Sequence, residues 1–177
     1  EVPEELTICG SEEQLEECCG KIVICEKNPP NRKTGVLYLL PRNLYVGMGC
    51  KKGTKKEILE AELLKTLEKH GFLPEQIRAL GSIDLKREED GLLELADSLG
   101  VEFLTYSAES LQEISAVSSS SEFVRGVTGV DNVCERAAKK MCPEGVMVQE
   151  KVCLNQCTAA VVCGEVMVRF GKEEEER

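Results

Sequence analysis

Histidine occurs once in this 177-residue chain, at His70, and no Cys-x-x-Cys pair occurs at all. A single imidazole leaves almost nothing for a Ser-His-Asp or Cys-His triad. His70 also falls in the last turn of a helical pattern, where the ring ordinarily faces water or the helix dipole. The same shortage leaves a structural zinc site without a ligand set of the usual spacing, so no metal site is expected. No stretch approaches the roughly 20 consecutive apolar residues of a membrane span, and no basic-then-apolar leader opens the chain. Positive charge is in deficit: 22 Lys plus Arg against 32 Asp plus Glu give a net charge of −10. That balance repels nucleic acid and anionic membrane over most of the surface. The class that remains is a soluble cytoplasmic protein with neither nucleic-acid nor membrane partner. Glu1 in place of Met suggests a chain cut from something longer.

What the chain does have is apolar content of 42%, enough for a proper core, and ten cysteines. They stand at Cys9, Cys18, Cys19, Cys25, Cys50, Cys134, Cys142, Cys153, Cys157 and Cys163. The chain is too long to need the disulfide staples of a small secreted scaffold, and several cysteines sit inside apolar segments. Free thiols in a reducing compartment are the expectation.

Lys21 to Cys25 reads as a strand, followed by the breaker cluster Asn28-Pro29-Pro30-Asn31. Val36 to Leu40 and Leu44 to Met48 are further extended runs, and the main domain is placed from 43 to 171, after a preceding piece and linker at 1–42 and before an acidic tail at 172–177. Thr54 and Glu57 have capping-box spacing, and Leu59, Leu63, Leu64 and Leu67 share one face of a helix ending at Gly71. Ile77 to Leu85 looks extended. Leu92, Leu95, Ala96 and Leu99 mark a second helix that follows acidic Glu88 to Asp90 and stops at Gly100. Val101 to Thr105 is a strand, Ser107 caps a short helix, and Ser118 to Ser121 read as a polar loop. Glu122 to Val127 and Asn132 to Met141 are two more helices. Strands return at Val146–Val148, Thr158–Val162 and Val166–Phe170, with Gly164-Glu165 suggesting a terminal hairpin. Strands alternating with helices predict an α/β fold: a three-layer α/β/α sandwich on a mostly parallel, mixed sheet.

In such a sheet ligands bind beyond the carboxyl ends of the strands, and three loops qualify. Gly47-Met48-Gly49-Cys50-Lys51-Lys52-Gly53 joins a strand to a helix; its glycines open backbone amides to an anion and its lysines add charge, although a plain tight turn has the same spelling. It lacks the Walker ending and a third glycine at dinucleotide spacing. Cys50, read as a thiol at a helix N-terminus beside lysines, is expected to have a lowered pKa unless it is simply a small buried residue. Gly81-Ser82-Ile83-Asp84-Leu85-Lys86 supplies a hydroxyl, a carboxylate and an ammonium, though Lys86 can simply pair with Glu89. The third loop carries Ser121, Arg125, Gly129 and Glu135, with Ser121 equally suited to capping a helix.

Taken together, Leu44 to Gly53, Leu80 to Lys86 with Glu89 and Gly91-Leu92, and Phe103 to Glu109 resemble the C-terminal domain of the CbiG family. The likeness continues through Ser121 to Arg125, Val127 to Val130, Val133 to Ala138, Lys151 and Thr158 to Ala160, and so covers about residues 43 to 170. Asp90 stands where family members commonly have Pro. The resemblance implies a cobalt-precorrin-5A hydrolase activity in cobalamin biosynthesis, opening a δ-lactone with release of acetaldehyde to give cobalt-precorrin-5B. It also implies a cobalt-tetrapyrrole substrate that carries its own metal, so no further cofactor, and other cobalamin-pathway enzymes as neighbours. Full-length members carry an N-terminal half with a Gly-His-Gly-Gly type motif that this sequence does not contain; a similar domain, CobE, stands alone in the aerobic pathway and points to the alternative of a corrinoid-binding module without chemistry. On this likeness Lys86, Asp84 and Glu135 are the candidate catalytic groups. Gly47, Gly49, Cys50, Lys51, Lys52, Gly53, Ser82, Glu89, Ser121, Arg125 and Gly129 are the candidate substrate contacts, and Gly49, Lys86 and Arg125 are expected to assemble around one shared hollow at a single rim.

Overall fold

A computed structural model describes residues 7–9, 20–115, 126 and 131–168. Five strands form its main sheet: β3 (Leu44–Cys50), β4 (Ile77–Ile83), β5 (Glu102–Tyr106), β6 (Val146–Cys153) and β7 (Cys157–Cys163). Their order is β5-β4-β3-β7-β6, with β3, β4 and β5 parallel and β7 antiparallel to both its neighbours. Helices α1 (Lys56–Lys69) and α2 (Asp90–Leu99) cover one face, while α3 (Ala108–Gln112) and α4 (Val133–Met141) cover the other. This is the α/β sandwich on a mixed sheet that the alternation of elements predicts.

Strand periodicity divides the residues between the layers. Leu44, Val46 and Met48 of β3 point toward α1 and α2 and meet Leu59, Leu63, Leu67, Leu92 and Leu95 in one dry core. Gly47 and the Gly81 registered beside it point the other way, toward α4. A Cβ on Gly47 would lie 1.8 Å from the Cys134 carbonyl oxygen, and one on Gly81 would lie 2.7 Å from Met141 Cε. The sheet is bare at these positions because α4, with Ala137 and Ala138 fully buried on its inner side, rests directly on it.

β1 (Lys21–Ile24) and β2 (Val36–Leu39) pair in parallel as a separate two-stranded sheet. It is tied to the main body by Asn28 N–H donating to Gly71 O at 2.8 Å, Gln76 Nε2 donating to Glu26 O at 2.8 Å, and the Lys27 ammonium over the Phe72 ring.

Several local expectations need correction. Thr54 and Glu57 do not form a capping box: α1 begins at Lys56 behind an uncapped Lys55, and the Thr54 hydroxyl donates to Lys51 O at 2.8 Å, closing the loop instead. Leu64 is 39% exposed rather than part of the apolar face. The extended run from Ile77 ends at Ile83, where Asp84–Lys86 make a 3-10 turn. The late hairpin turns at Leu154 to Gln156, not at Gly164-Glu165, because β6 and β7 are both longer than their apolar centres suggest. Residues 166–168 are not strand, and Ser118–Ser121 and the helix expected over Glu122–Val127 lie, but for Gly126, outside the described residues.

Candidate functional site

The carboxyl ends of β3, β4 and β5, the β6–β7 turn and the start of α4 all fall at one end of the sheet, since β7 runs antiparallel to β3 and Cys50 pairs with Cys157. There the loop after β3 is built by its own backbone. Lys51 N–H donates to Gln156 O at 2.9 Å, Thr54 closes onto Lys51, and Gly53 takes φ 73°, a left-handed value that favours glycine. Glu89, nearly buried, reaches across from the start of α2. Its carboxylate accepts from the Gly53 N–H at 2.5 Å and from Lys86 Nζ at 2.7 Å. Thus one of the amides read as an anion cradle already holds an anion, and that anion is a side chain of the protein. Burial works to raise the Glu89 pKa, but the Lys86 and Gly53 hydrogen bonds and the nearby ammonium groups outweigh it and hold the carboxyl below its ordinary range.

Lys51 and Lys52 remain exposed at the outside of this loop. Ser82 is fully buried, and its hydroxyl donates to Met48 O at 2.7 Å, fastening β4 to β3 just below the rim. Asp84 is half-buried in the turn after β4, next to Leu85, whose side chain is 65% exposed. Of the two readings of Cys50, the structure favours the partly buried small residue over the acidic thiol: burial pushes its thiol pKa up despite the Lys86 ammonium, and α1 begins six residues further on, too far for its dipole to help.

On the α4 side, Gly49 faces Thr158, whose Oγ1 lies 3.0 Å from where a Cβ would stand. Asn132 caps α4 in a left-handed conformation, φ 48°, with its side-chain oxygen accepting from Glu135 N–H at 3.4 Å. Glu135 is 1% exposed, and its carboxylate accepts the Lys151 N–H at 2.6 Å. Gly47 lies under α4 rather than in the loop. The rim therefore brings together Gly49 to Gly53, Asp84, Lys86, Glu89 and Glu135; Ser121, Arg125 and Gly129 lie outside the described residues. Sequence reading missed Asn132 and the backbone at Lys151, for which the only local signal is a polar residue just before a helical pattern.

A hollow of about 480 Å³ opens beside this rim between the starts of α1 and α2, where Glu57, Glu89, Asp90 and Glu94 outnumber a single cation, Lys55, in its lining. Its carboxylates make it a poor seat for a polyanion. His70 is remote from the rim, at the far end of α1, with Nε2 2.7 Å from Gln149 Oε1.

The eight described cysteines are free thiols. Burial drives the pKa of Cys134 and of Cys157 up to about 11, so about one in a thousand of either is thiolate at pH 8. Cys153 is exposed. Among the described cysteines, thiol-reactive labelling followed by peptide mass mapping should modify Cys153 first and Cys134 and Cys157 more than about a hundredfold more slowly. Comparable rates would contradict this packing. Among the described residues no three or more His, Cys, Asp or Glu side chains are grouped to hold a metal, and no helix is long and apolar enough to cross a membrane.

A family model described as Cobalamin synthesis G C-terminus matches residues 44–162. A curated cobalt-precorrin-5A hydrolase from Priestia megaterium is 42% identical over 106 residues, which are 60% of this chain and 28% of the relative, so the match spans little more than a quarter of that protein. Protein CobE of Sinorhizobium sp is 32% identical over 120 residues, 67% of this chain and 78% of CobE. A crystal structure of CobE, described as a protein of the cobalamin (vitamin B12) biosynthetic pathway, superposes with a TM-score of 0.64 at 28% identity, covering 68% of this chain and 92% of that one.

Proposed function

Because this chain belongs to the cobalamin synthesis G C-terminus family, we propose that it serves cobalamin biosynthesis as the C-terminal part of a cobalt-precorrin-5A hydrolase, with residues 43–171 as the working domain. The substrate is a cobalt tetrapyrrole fringed with acetate and propionate groups, and the cobalt arrives within it, so the domain needs no cofactor of its own. In the reaction, water adds to the δ-lactone carbonyl and the acyl C–O bond breaks. A carboxylate stays on the macrocycle and the freed oxygen stays on the extruded carbon; as that oxygen becomes the aldehyde carbonyl, the C–C bond to the macrocycle breaks, its electron pair and a proton go to the macrocycle, and the carbon leaves with its methyl group as acetaldehyde. The observation that supports this reading is the convergence of Gly49 to Lys52, Lys86 and the start of α4 at the strand-end rim of a segment similar to such hydrolases.

Roles follow from the surroundings of each group. Exposed Lys51 and Lys52 meet the peripheral carboxylates; Arg125, Ser121 and Gly129 are proposed as further contacts on the resemblance alone. With the Lys51 and Gly53 amides already taken by Gln156 O and Glu89, the Lys52 N–H is the loop donor left for the developing oxyanion, with the Lys86–Glu89 pair behind it; one such donor contributes about 3 kcal/mol to a transition state. Asp84, half-buried on the rim and without a hydrogen bond to its carboxylate among the described residues, is the better placed of the two proposed bases. Glu135 already accepts a backbone N–H. The remaining half of the hydrolase is the first partner, the enzymes before and after it in the pathway are the next, and the cytoplasm is the compartment.

Incubating cobalt-precorrin-5A with this chain joined to the remainder of a hydrolase, and trapping acetaldehyde as its hydrazone, tests the reading. Asp84→Asn is expected to lower release by at least about 100-fold. Full release in that variant would remove Asp84 from the chemistry, and no release from the joined protein would remove the hydrolase assignment. A second reading, a corrinoid-binding module without chemistry, is favoured by the similarity to CobE, 92% of whose solved chain this one covers. Tight binding without acetaldehyde, whatever is added, would decide for it.

A further inference from the structure

β6 is not a regular strand. Gln149 pairs with Val161 and Val152 with Ala159, so three steps along β6 match two along β7, and one extra residue is housed at Glu150-Lys151. A bulge of this kind takes an amide out of the ladder and re-aims a side chain, and bulges concentrate beside binding sites. Here the displaced amide is that of Lys151, and it is taken up by the carboxylate of Glu135 at 2.6 Å, a group otherwise sealed within the start of α4. Anchored on a buried carboxylate, the displaced amide fixes the bulge in place. Val152 packs toward the α1 and α2 core, which turns Lys151 toward α4, where its positive charge is felt at the Cys134 thiol. Lys151 is half-exposed there, and its ammonium makes no ion pair among the described residues.

From the bulge and its buried tether we infer that Lys151 is a substrate-binding residue, gripping a peripheral carboxylate of the corrinoid on the α4 side of the rim, and that Glu135 is the positioning residue that aims it. This rests on the tetrapyrrole reading above and adds a cation from β6 to those of the loop after β3.

The test is a visible-absorbance titration of the whole chain with two cobalt corrinoids: cobyrinic acid, whose side chains are free carboxylates, and its methyl ester, which has the same macrocycle without the charges. Wild-type protein should prefer the acid. Lys151→Met should weaken binding of the acid roughly tenfold, the scale of one charge-assisted hydrogen bond, and leave the ester unchanged. Glu135→Gln, whose amide oxygen still accepts from the Lys151 N–H, should keep the wild-type preference. Glu135→Ala, once circular dichroism shows that it is folded, should match Lys151→Met, and the double variant should lose no more than either. An equal loss for acid and ester, or an unchanged acid affinity in Lys151→Met, would overturn the inference while leaving the tetrapyrrole reading standing. Wild-type protein that binds neither corrinoid would overturn both.

Discussion

Gly47→Ala is expected to cost the fold more than about 3 kcal/mol, enough to leave little native protein at 37 °C. The added methyl would stand 1.8 Å from the carbonyl oxygen of Cys134, 2.7 Å from its carbon and 2.9 Å from the nitrogen of Ala138. All three are backbone atoms of α4, so no rotamer change can clear them; the helix must lift from the sheet and take Ala137, Ala138 and the Glu135 tether with it. Gly49→Ala, two residues along the same strand, is the internal comparison. Its nearest neighbour would be Thr158 Oγ1 at 3.0 Å, a side-chain atom able to give, so a loss of about 1 kcal/mol or less is expected. Urea titrations followed by circular dichroism measure both. Equal midpoints for the two variants would mean that α4 does not rest on the glycines.

Removing the Glu89 carboxylate should have the next largest effect, about 2 to 3 kcal/mol for Glu89→Ala. Two charge-assisted hydrogen bonds are lost, and the Gly53 amide and a mostly buried Lys86 are left without their acceptor. Glu89→Gln, which keeps one acceptor, should lose about half as much. The same group gives the protein an acid sensitivity. Its folded pKa lies below the unfolded value near 4.5, so its contribution is complete above that value and disappears as pH falls through the lower, folded one. Wild-type stability measured from pH 6 down to pH 3 should therefore decline more steeply than that of Glu89→Gln. Parallel curves would show that Glu89 is not held as an anion.

Much of the architecture was legible because it is local. The spacing of Leu59, Leu63 and Leu67 and of Leu92, Leu95 and Ala96 marks the two helices that bury them. Gly71 and Gly100 stop those helices at φ 75° and 62°, values that favour glycine. What failed had a competitor that sequence does not display. The Thr54 hydroxyl had a carbonyl of its own loop to bond, so the cap it spells with Glu57 never forms. The late hairpin turns on Gln156 at φ 63°, a residue that does not advertise a turn, while Gly164-Glu165, which does, lies past the end of the strand. At the site, the three loops were found one by one. That Glu89 would answer Gly53 across 36 positions, and Glu135 the backbone of Lys151 across 16, depends on how the layers stack, which no local pattern encodes.

The placement of β7 next to β3 sets a timetable for synthesis. β3 is the middle strand of the sheet, yet one of its two partners is the Cys157–Cys163 segment, more than a hundred residues later. At ordinary elongation rates the ribosome needs roughly 5 to 20 s to cover that distance, and the nascent chain spends the interval with α1 and α2 covering a half-sheet whose central edge is open. Chaperone engagement on the emerging polypeptide should therefore peak before Cys157 leaves the exit tunnel and fall once the last strand has closed the gap.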